Sequence, residues 1–192
     1  MSVKAQSLTA EDQLFVLMQA GLYLTLTRGL GTPEAQICYE HAEPLCHSLN
    51  RPLLLYSGLM GQWVFSLVTE KLSAAMQIAK RVYSLAQEQN DVALMIGACR
   101  ALAVTLYFLG DFESARQYAS RGVQIWRSGG VHSPVEEFFA PAVHCLIFDA
   151  LSDWQFGETA RCHATKLVQS REKSHVGSHV FQHLAHRKYK IV

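Results

Sequence analysis

Apolar residues recur at helical spacing along most of the chain, with polar residues filling the positions between them. Strict alternation of apolar and polar residues, which would indicate strands, is absent. Proline, glycine and asparagine punctuate the pattern where helices are expected to start or stop. The pattern therefore predicts helices at about 11–28, 33–48, 52–68, 71–88, 92–109, 111–127, 135–155 and 158–173, with a last helix from about 176.

The predicted helices form pairs that repeat. Ala35, Ala75, Ala115 and Ala160 occupy matching points of these pairs at spacings of 40, 40 and 45 residues, and a long loop at 128–134 accounts for the wider last spacing. Small residues at fixed points let neighbouring helices approach, and each pair buries its apolar face by stacking on the next. We therefore expect one domain, residues 1–192, with repeats at about 11–50, 51–90, 91–130 and 134–175 and a partial repeat at 176–192.

Four groups of residues, one in each predicted repeat, carry a family pattern. They are Arg28, Gly29, Pro33, Glu34, Tyr39, Ala42, Leu45 and Cys46 in the first; Gly61, Trp63, Leu67, Val68, Leu72 and Ala75 in the second; Thr105, Leu106, Tyr107, Leu109, Gly110, Ala115 and Arg116 in the third; and His132, Pro141, Val143, Cys145, Leu146 and Trp154 in the fourth. Over residues 12–180 the chain resembles the tetratricopeptide-like region that follows the ATPase module of large bacterial signal-transduction proteins. The resemblance implies an all-α, right-handed superhelix of about four helix pairs plus a terminal helix.

Many proteins of that kind carry a cyclase, a kinase or a winged-helix regulator at their other end, so the resemblance implies regulation of a signal-transduction ATPase or cyclase. The chain departs from the pattern at Glu70, where the family turns on glycine, at Gly157, which takes the slot of Leu72 and Phe112, and at 183–192. It also lacks the GxxxxGK[ST] phosphate-binding loop, so the nucleotide chemistry of the relatives does not transfer.

Composition narrows the class of protein. The chain is 49% hydrophobic and 17% charged, which suits one substantial domain. The start is polar where a signal peptide is apolar, and no run is expected to reach the roughly 18–20 apolar residues of a membrane span, so we expect a cytoplasmic protein without a membrane partner. Five cysteines form no CxxC pair and are expected to be small core residues in a reducing compartment: Cys38, Cys46, Cys99, Cys145 and Cys162.

Four histidines near the end of the chain form a stripe at helical spacing, namely His175, His179, His183 and His186. Histidines four residues apart on a helix can hold zinc, nickel or copper, which makes a metal sensor or a metal-dependent activity the alternative function. The competing interpretation is a solvated face beside the apolar stripe of the last helix. No catalytic, cofactor-binding or metal-binding residue is assigned from the sequence.

The net charge is +1, but residues 161–192 hold seven lysines or arginines and one acid. Binding to nucleic acid or to acidic lipid requires a basic surface of this kind. No recognition-helix pattern accompanies it, so a solvated terminal face is favoured and a nucleic-acid partner is disfavoured. Docking on an acidic partner surface is compatible with both interpretations.

If the first helix of each pair lines a concave side, the inward positions form a candidate groove for a protein, a peptide or a small polar ligand. The inward positions are Thr27, Arg28, Ser57, Met60, Arg100, Tyr107, Phe108, Asp149, Ser152 and Asp153. The candidate site residues among them are Arg28, Ser57, Arg100, Tyr107, Asp149, Ser152 and Asp153. An equally weighted alternative places Tyr107 and Phe108 in the core between helices. The three tryptophans, Trp63, Trp126 and Trp154, are expected to pack between helices. The resulting expectation is a non-catalytic interaction or sensory module with no cofactor.

Overall fold

The computed structural model describes residues 9–129 and 141–158 of the 192-residue chain. Within these ranges the regular elements are all α-helices, and no strand is present. The described helices are α1 (Ala10–Arg28), α2 (Pro33–Ser48), α3 (Pro52–Val68), α4 (Leu72–Gln89), α5 (Val92–Leu109), α6 (Phe112–Gly129) and α7 (Pro141–Gln155). The all-α prediction is therefore confirmed for the described residues. The expected helices at 158–173 and from 176 lie outside them, apart from Glu158.

Helix bounds follow the predicted 40-residue period. The second helices of the three complete pairs begin at Pro33, Leu72 and Phe112, and each of the first six helices begins and ends within two residues of its predicted bounds. Ala35, Ala75 and Ala115 are buried, as small contact residues should be, whereas Ala160 lies outside the described residues. The helix bounds and the buried alanines of the described residues therefore both follow the repeat.

Four helices end in the same turn, in which a residue with positive φ is followed by an amide that donates to the carbonyl five residues earlier. This geometry is the Schellman motif, and it satisfies carbonyl groups that the helix end leaves without intrahelical partners. The positive-φ residues are Asn50, Glu70, Gly110 and Gly157. The closing bonds run from Arg51 N to Cys46 O (2.8 Å), Lys71 N to Ser66 O (2.8 Å), Asp111 N to Leu106 O (3.0 Å) and Glu158 N to Asp153 O (2.9 Å).

Glu70 and Gly157, two positions at which the chain departs from the family pattern, both lie in these turns. Glu70 adopts φ +61° and so occupies a turn position where Gly110, 40 residues later, has φ +87°. Gly157, which the sequence pattern places in the helix-start slot of Leu72 and Phe112, instead takes the positive-φ turn position after α7. The slot assignment for Gly157 was therefore wrong, because the turn after α7 falls two residues later than the 45-residue spacing implies.

Helix starts are fixed by local chemistry. Thr9 and Asp12 form a reciprocal capping box at the start of α1, and Pro33 occupies the first turn of α2 as predicted. Asp91 accepts a hydrogen bond from the Leu94 amide (3.0 Å) and Asp111 accepts one from the Ser114 amide (3.1 Å). The side chains of Thr9, Asp91 and Asp111 each accept from an amide in the first helical turn that has no intrahelical carbonyl partner.

The chain divides into two compact units, Met1–Ile78 and Ala79–Val192, and the division falls within α4. In the first unit α2 packs against both α1 and α3, and the Tyr39 ring of α2 lies against Gly21 and Gly61. In the second unit α5, α6 and α7 pack against one another around a core that contains Cys99, Val123, Cys145 and Leu146.

Glu70 provides a test of the turn geometry. Glu70→Gly should raise the free energy of unfolding by about 1 kcal/mol, because glycine adopts positive φ without a Cβ clash. Gly110→Ala, at the equivalent turn, should lower it by about the same amount through the backbone alone, since a Cβ there meets no atom within 4 Å. Urea unfolding followed by circular dichroism measures both, and a lower midpoint for Glu70→Gly would contradict the assigned conformation.

Candidate functional site

Three of the four inward positions predicted in the first unit, Thr27, Arg28 and Ser57, are exposed, whereas the fourth, Met60, is buried. The Arg28 Nη1 atom lies 3.5 Å from Glu34 Oε1, and Ser57 Oγ donates to the Leu53 carbonyl within its own helix (3.1 Å). An ion pair this exposed contributes little to stability. Both side chains are therefore available to a partner.

Most groove residues predicted in the second unit are buried instead. Tyr107 packs edge-on against the rings of Phe108, Phe112 and Phe148, at centroid distances of 5.9, 5.2 and 5.3 Å. Its hydroxyl oxygen accepts a hydrogen bond from Gln155 Nε2 (3.1 Å). Tyr107 is only 6% exposed, so the alternative that placed it in the core is the one that matches its surroundings. Phe108 is half-buried beside it.

The polar side chains among these residues are half-buried or buried. Asp149 is half-buried on α7 and accepts a short hydrogen bond from the Ser120 hydroxyl of α6. Ser152 is fully buried and donates to the Phe148 carbonyl (2.7 Å). Arg100 is also buried. The structure therefore places Asp149 at a helix–helix contact and leaves little of Arg100 and Ser152 exposed to a partner.

An arginine that the groove prediction did not include organises one end of α7. Arg116 Nη1 lies 3.5 Å from Asp153 Oδ1 and 3.5 Å from Glu158 Oε1, and its Nη2 lies 3.6 Å from Glu113 Oε2. The guanidinium carbon also lies 5.3 Å from the centroid of the Phe156 ring. Glu113 is one helical turn away in sequence, but Asp153 and Glu158 meet Arg116 only through the packing of α7 on α6.

Two aromatic side chains are exposed at this same end of α7. Trp154 is 54% exposed and Phe156 is 46% exposed. The prediction that all three tryptophans pack between helices is therefore wrong for Trp154, whereas Trp63 is buried and Trp126 packs on the core of the second unit. We refer to Arg116, Trp154 and Phe156 as the α7-end patch. Tryptophan and arginine are enriched at the energetic centres of protein interfaces.

Charge around the patch is unbalanced. Three carboxylates, those of Glu113, Asp153 and Glu158, approach the single guanidinium of Arg116. The cluster therefore carries an excess of negative charge next to an apolar surface. A partner that presents a lysine or arginine beside apolar side chains would complement both features.

The described cysteines have the environment expected of core residues. Cys46, Cys99 and Cys145 are buried and Cys38 is half-buried, whereas Cys162 lies outside the described residues. Burial raises the pKa of the Cys99 thiol to about 11 and raises the pKa of Cys38 and of Cys46 above the ordinary value. These surroundings disfavour the thiolate, which is the reactive form.

Residues 9–129 and 141–158 contain no group of three or more side chains able to hold a metal ion. A crevice between α2 and α3 is too small to admit a ligand. The histidine stripe, His175 to His186, and the basic end, 161–192, lie outside the described residues.

One described helix is apolar enough to qualify as a membrane span. Val92–Leu109 has a mean hydropathy of 2.0 over 18 residues, so the expectation that no run reaches this length was wrong. Length and composition alone are weak evidence here, because 67% of the segment is buried inside the structure. Its apolar character is that of a core helix, and its one charged side chain, Arg100, is buried with it.

No protein-family model matches this chain, and no curated protein matches it. The resemblance to tetratricopeptide-like regions is therefore carried by the repeat period and by the order and spacing of the family-like residues.

Asp153 provides a test of the Arg116 cluster. Asp153→Asn should lower the free energy of unfolding by about 2 kcal/mol, because it removes the buried negative charge that faces Arg116. Glu158→Gln is the matched control, since that carboxylate lies at the same distance but is 41% exposed, and its effect should stay below about 1 kcal/mol. Equal losses in the two variants, measured by urea unfolding, would contradict a special role for Asp153.

The cysteines provide a second test. In the folded protein at pH 8, N-ethylmaleimide should modify Cys38 before Cys46, Cys99 and Cys145, which should react only after unfolding. Because the pKa of Cys99 is raised from 9.0 to about 11, its contribution to stability should be complete below pH 9 and be lost as the pH rises towards 11. Peptide mapping by mass spectrometry measures the first effect and unfolding at graded pH the second, with Cys99→Ala as the control. Rapid modification of Cys99 in the native protein would show that its burial is wrong.

Proposed function

We propose that this chain is a non-catalytic helical-repeat module that binds a protein or peptide partner, and that its helix pairs form a tetratricopeptide-like right-handed superhelix. The observation that carries the proposal is the 40-residue period shared by helix bounds, buried alanines and the turns at Glu70 and Gly110. Arrays built on such a period present surfaces formed by successive helices, and holding partners is their common use.

The partner that we propose follows from the resemblance. It is the ATPase or cyclase module of a signal-transduction protein, in the cytoplasm. Binding of a signal or of a second partner would favour one of two packed states and so change the activity of that module. This choice of partner is supported by the order of the family-like residues along the repeats.

The surface that we propose for partner contact is the α7-end patch. It combines exposed aromatic area at Trp154 and Phe156 with the Arg116 guanidinium and a surplus of carboxylates. Among the groove residues of the sequence prediction, Arg28 and Ser57 remain accessible and could extend the contact. The buried members of that set stabilise the module.

Binding can be tested by replacing the patch. The double variant Trp154→Ala, Phe156→Ala should weaken partner binding about tenfold or more, since removing buried aromatic anchors commonly costs more than about 1 kcal/mol. Val92→Ala, which truncates another exposed apolar residue of the second unit, is the matched control. Partners are captured from the native host with tagged wild type, identified by mass spectrometry and then titrated as purified proteins.

The result separates the candidate surfaces. Equal losses in the patch variant and in Val92→Ala would point to general destabilisation and contradict the patch. A loss in Arg28→Ala, with full binding by the patch variant, would return the binding surface to the groove predicted from the sequence.

A further inference from the structure

A short stretch of the sequence, residues 187–192, has a composition that complements the α7-end patch. It contains three bases and no acid, with aromatic and apolar residues between and after the bases: Arg187, Lys188, Tyr189, Lys190, Ile191 and Val192. We call it the basic segment; it lies outside the described residues and within the part of the chain to which the family pattern does not extend. The repeat therefore does not account for its composition.

The α7-end patch carries charge of the opposite sign. Arg116 supplies one positive charge to this cluster, and the carboxylates of Glu113, Asp153 and Glu158 supply three negative ones. The Asp153 side chain is buried, whereas those of Glu113 and Glu158 are 54% and 41% exposed. The surplus negative charge therefore reaches the surface at these two glutamates, where a basic ligand can approach it.

The aromatic part of the patch suits the same ligand. The Phe156 ring already lies 5.3 Å from the guanidinium carbon of Arg116, so a ring of this patch accepts a cation. Tryptophan attracts arginine and lysine more strongly than the other aromatic side chains do, and Trp154 is exposed beside the glutamates. A ligand that alternates bases with apolar side chains would therefore satisfy both the charge and the rings.

Covalent attachment favours the chain's own basic segment as this ligand. The segment is joined to Glu158 by 28 residues, 159–186, and a stretch of that length can span about 90 Å when extended, so the segment can reach the patch. Attachment within one chain gives a local concentration on the order of 1 mM. An intrinsic dissociation constant of about 1 mM would thus give half occupancy, which a free basic peptide at micromolar concentration would not reach.

We propose that the basic segment docks on the α7-end patch of its own chain, with its bases beside Glu113 and Glu158 and its apolar side chains against Trp154 and Phe156. The segment then competes with the partner for this surface. That consequence rests on the proposed function, whereas the docking itself does not.

The exposure of Trp154 reports on the docking. Trp63 is buried, and Trp126→Phe removes the half-buried indole of α6, so acrylamide quenching in this parent chain measures the accessibility of Trp154. Acrylamide is neutral, so its access does not depend on the charge of the protein. The full chain is measured at low salt and at several protein concentrations.

Reversing the charge of the basic segment should expose Trp154. Arg187→Glu with Lys188→Glu and Lys190→Glu should raise the quenching constant about twofold or more, because like charges then face each other across the contact. Raising the sodium chloride concentration to about 1 M should change the parent chain in the same direction, since the Debye length falls to about 3 Å.

The matched control changes the same net charge elsewhere in the basic end. Lys166→Glu with Arg171→Glu and Lys173→Glu also replaces three bases by three acids within 161–192, but outside the basic segment. Its quenching constant should stay near that of the parent chain. This comparison separates docking of the segment from a general effect of charge.

Reversing the patch tests whether the two surfaces meet. Glu113→Lys with Glu158→Lys should expose Trp154 when the basic segment is unaltered, and should restore protection when the segment carries the three glutamates. Restoration by exchanging the charges requires contact between segment and patch.

Cross-linking tests the same contact without substitutions, in case a charge-reversed chain does not fold. Carbodiimide treatment of the full chain should join Lys188 or Lys190 to Glu113 or Glu158, as mapped by mass spectrometry. Mixing isotope-labelled with unlabelled chains shows whether each link lies within one chain. Absence of these links, in samples that contain other links between lysine and carboxylate, would contradict the docking.

Three further results would overturn the proposal. One is equal quenching in the parent and in the segment variant. Another is an equal rise in the segment variant and in its matched control. A third is protection that grows with protein concentration together with links between chains, because the occupant would then be the segment of a second copy. The readout is the exposure of Trp154 rather than partner capture, so failure of this inference and failure of the proposed function give different results.

Discussion

The close approach of neighbouring helices is the constraint on which both units depend. In the first unit a Cβ at Gly61 would lie 2.7 Å from Tyr39 Cδ2, and a Cβ at Gly21 would lie 2.8 Å from Tyr39 Cε1. In the second unit a Cβ at Gly122 would lie 3.2 Å from the Cβ of Cys99. Larger side chains at these points would force the helices apart and open the core that each unit builds around them.

The turns bring these contact points into register. A helix closed by a positive-φ residue reverses within a few residues, so helix length and turn length together set where the next small residue falls. Asn50 and Asn90 lie 40 residues apart, as do Glu70 and Gly110, and all four have positive φ. A change in the turn at Glu70 would therefore change where α4 begins relative to α3.

Burial separates the residues that stabilise each unit from those that can recognise a partner. In the second unit, Asp153 and Tyr107 make polar contacts inside the packing, whereas Trp154 is turned to solvent. In the first unit, α1 carries on its outside the kind of apolar surface that α3 keeps buried. Residues one repeat apart can therefore be buried in one helix and exposed in the other.

The helices, their bounds and the period of the repeat follow from the sequence, because helical spacing, caps and turns depend on residues a few positions apart. It also marked Glu70 as an unusual turn residue and most cysteines as core residues. The burial of Arg100 and Tyr107 and the exposure of Trp154 depend instead on how the helices pack. The physical reason is that helical spacing shows which side chains share a face, whereas the neighbouring helix determines whether that face is covered.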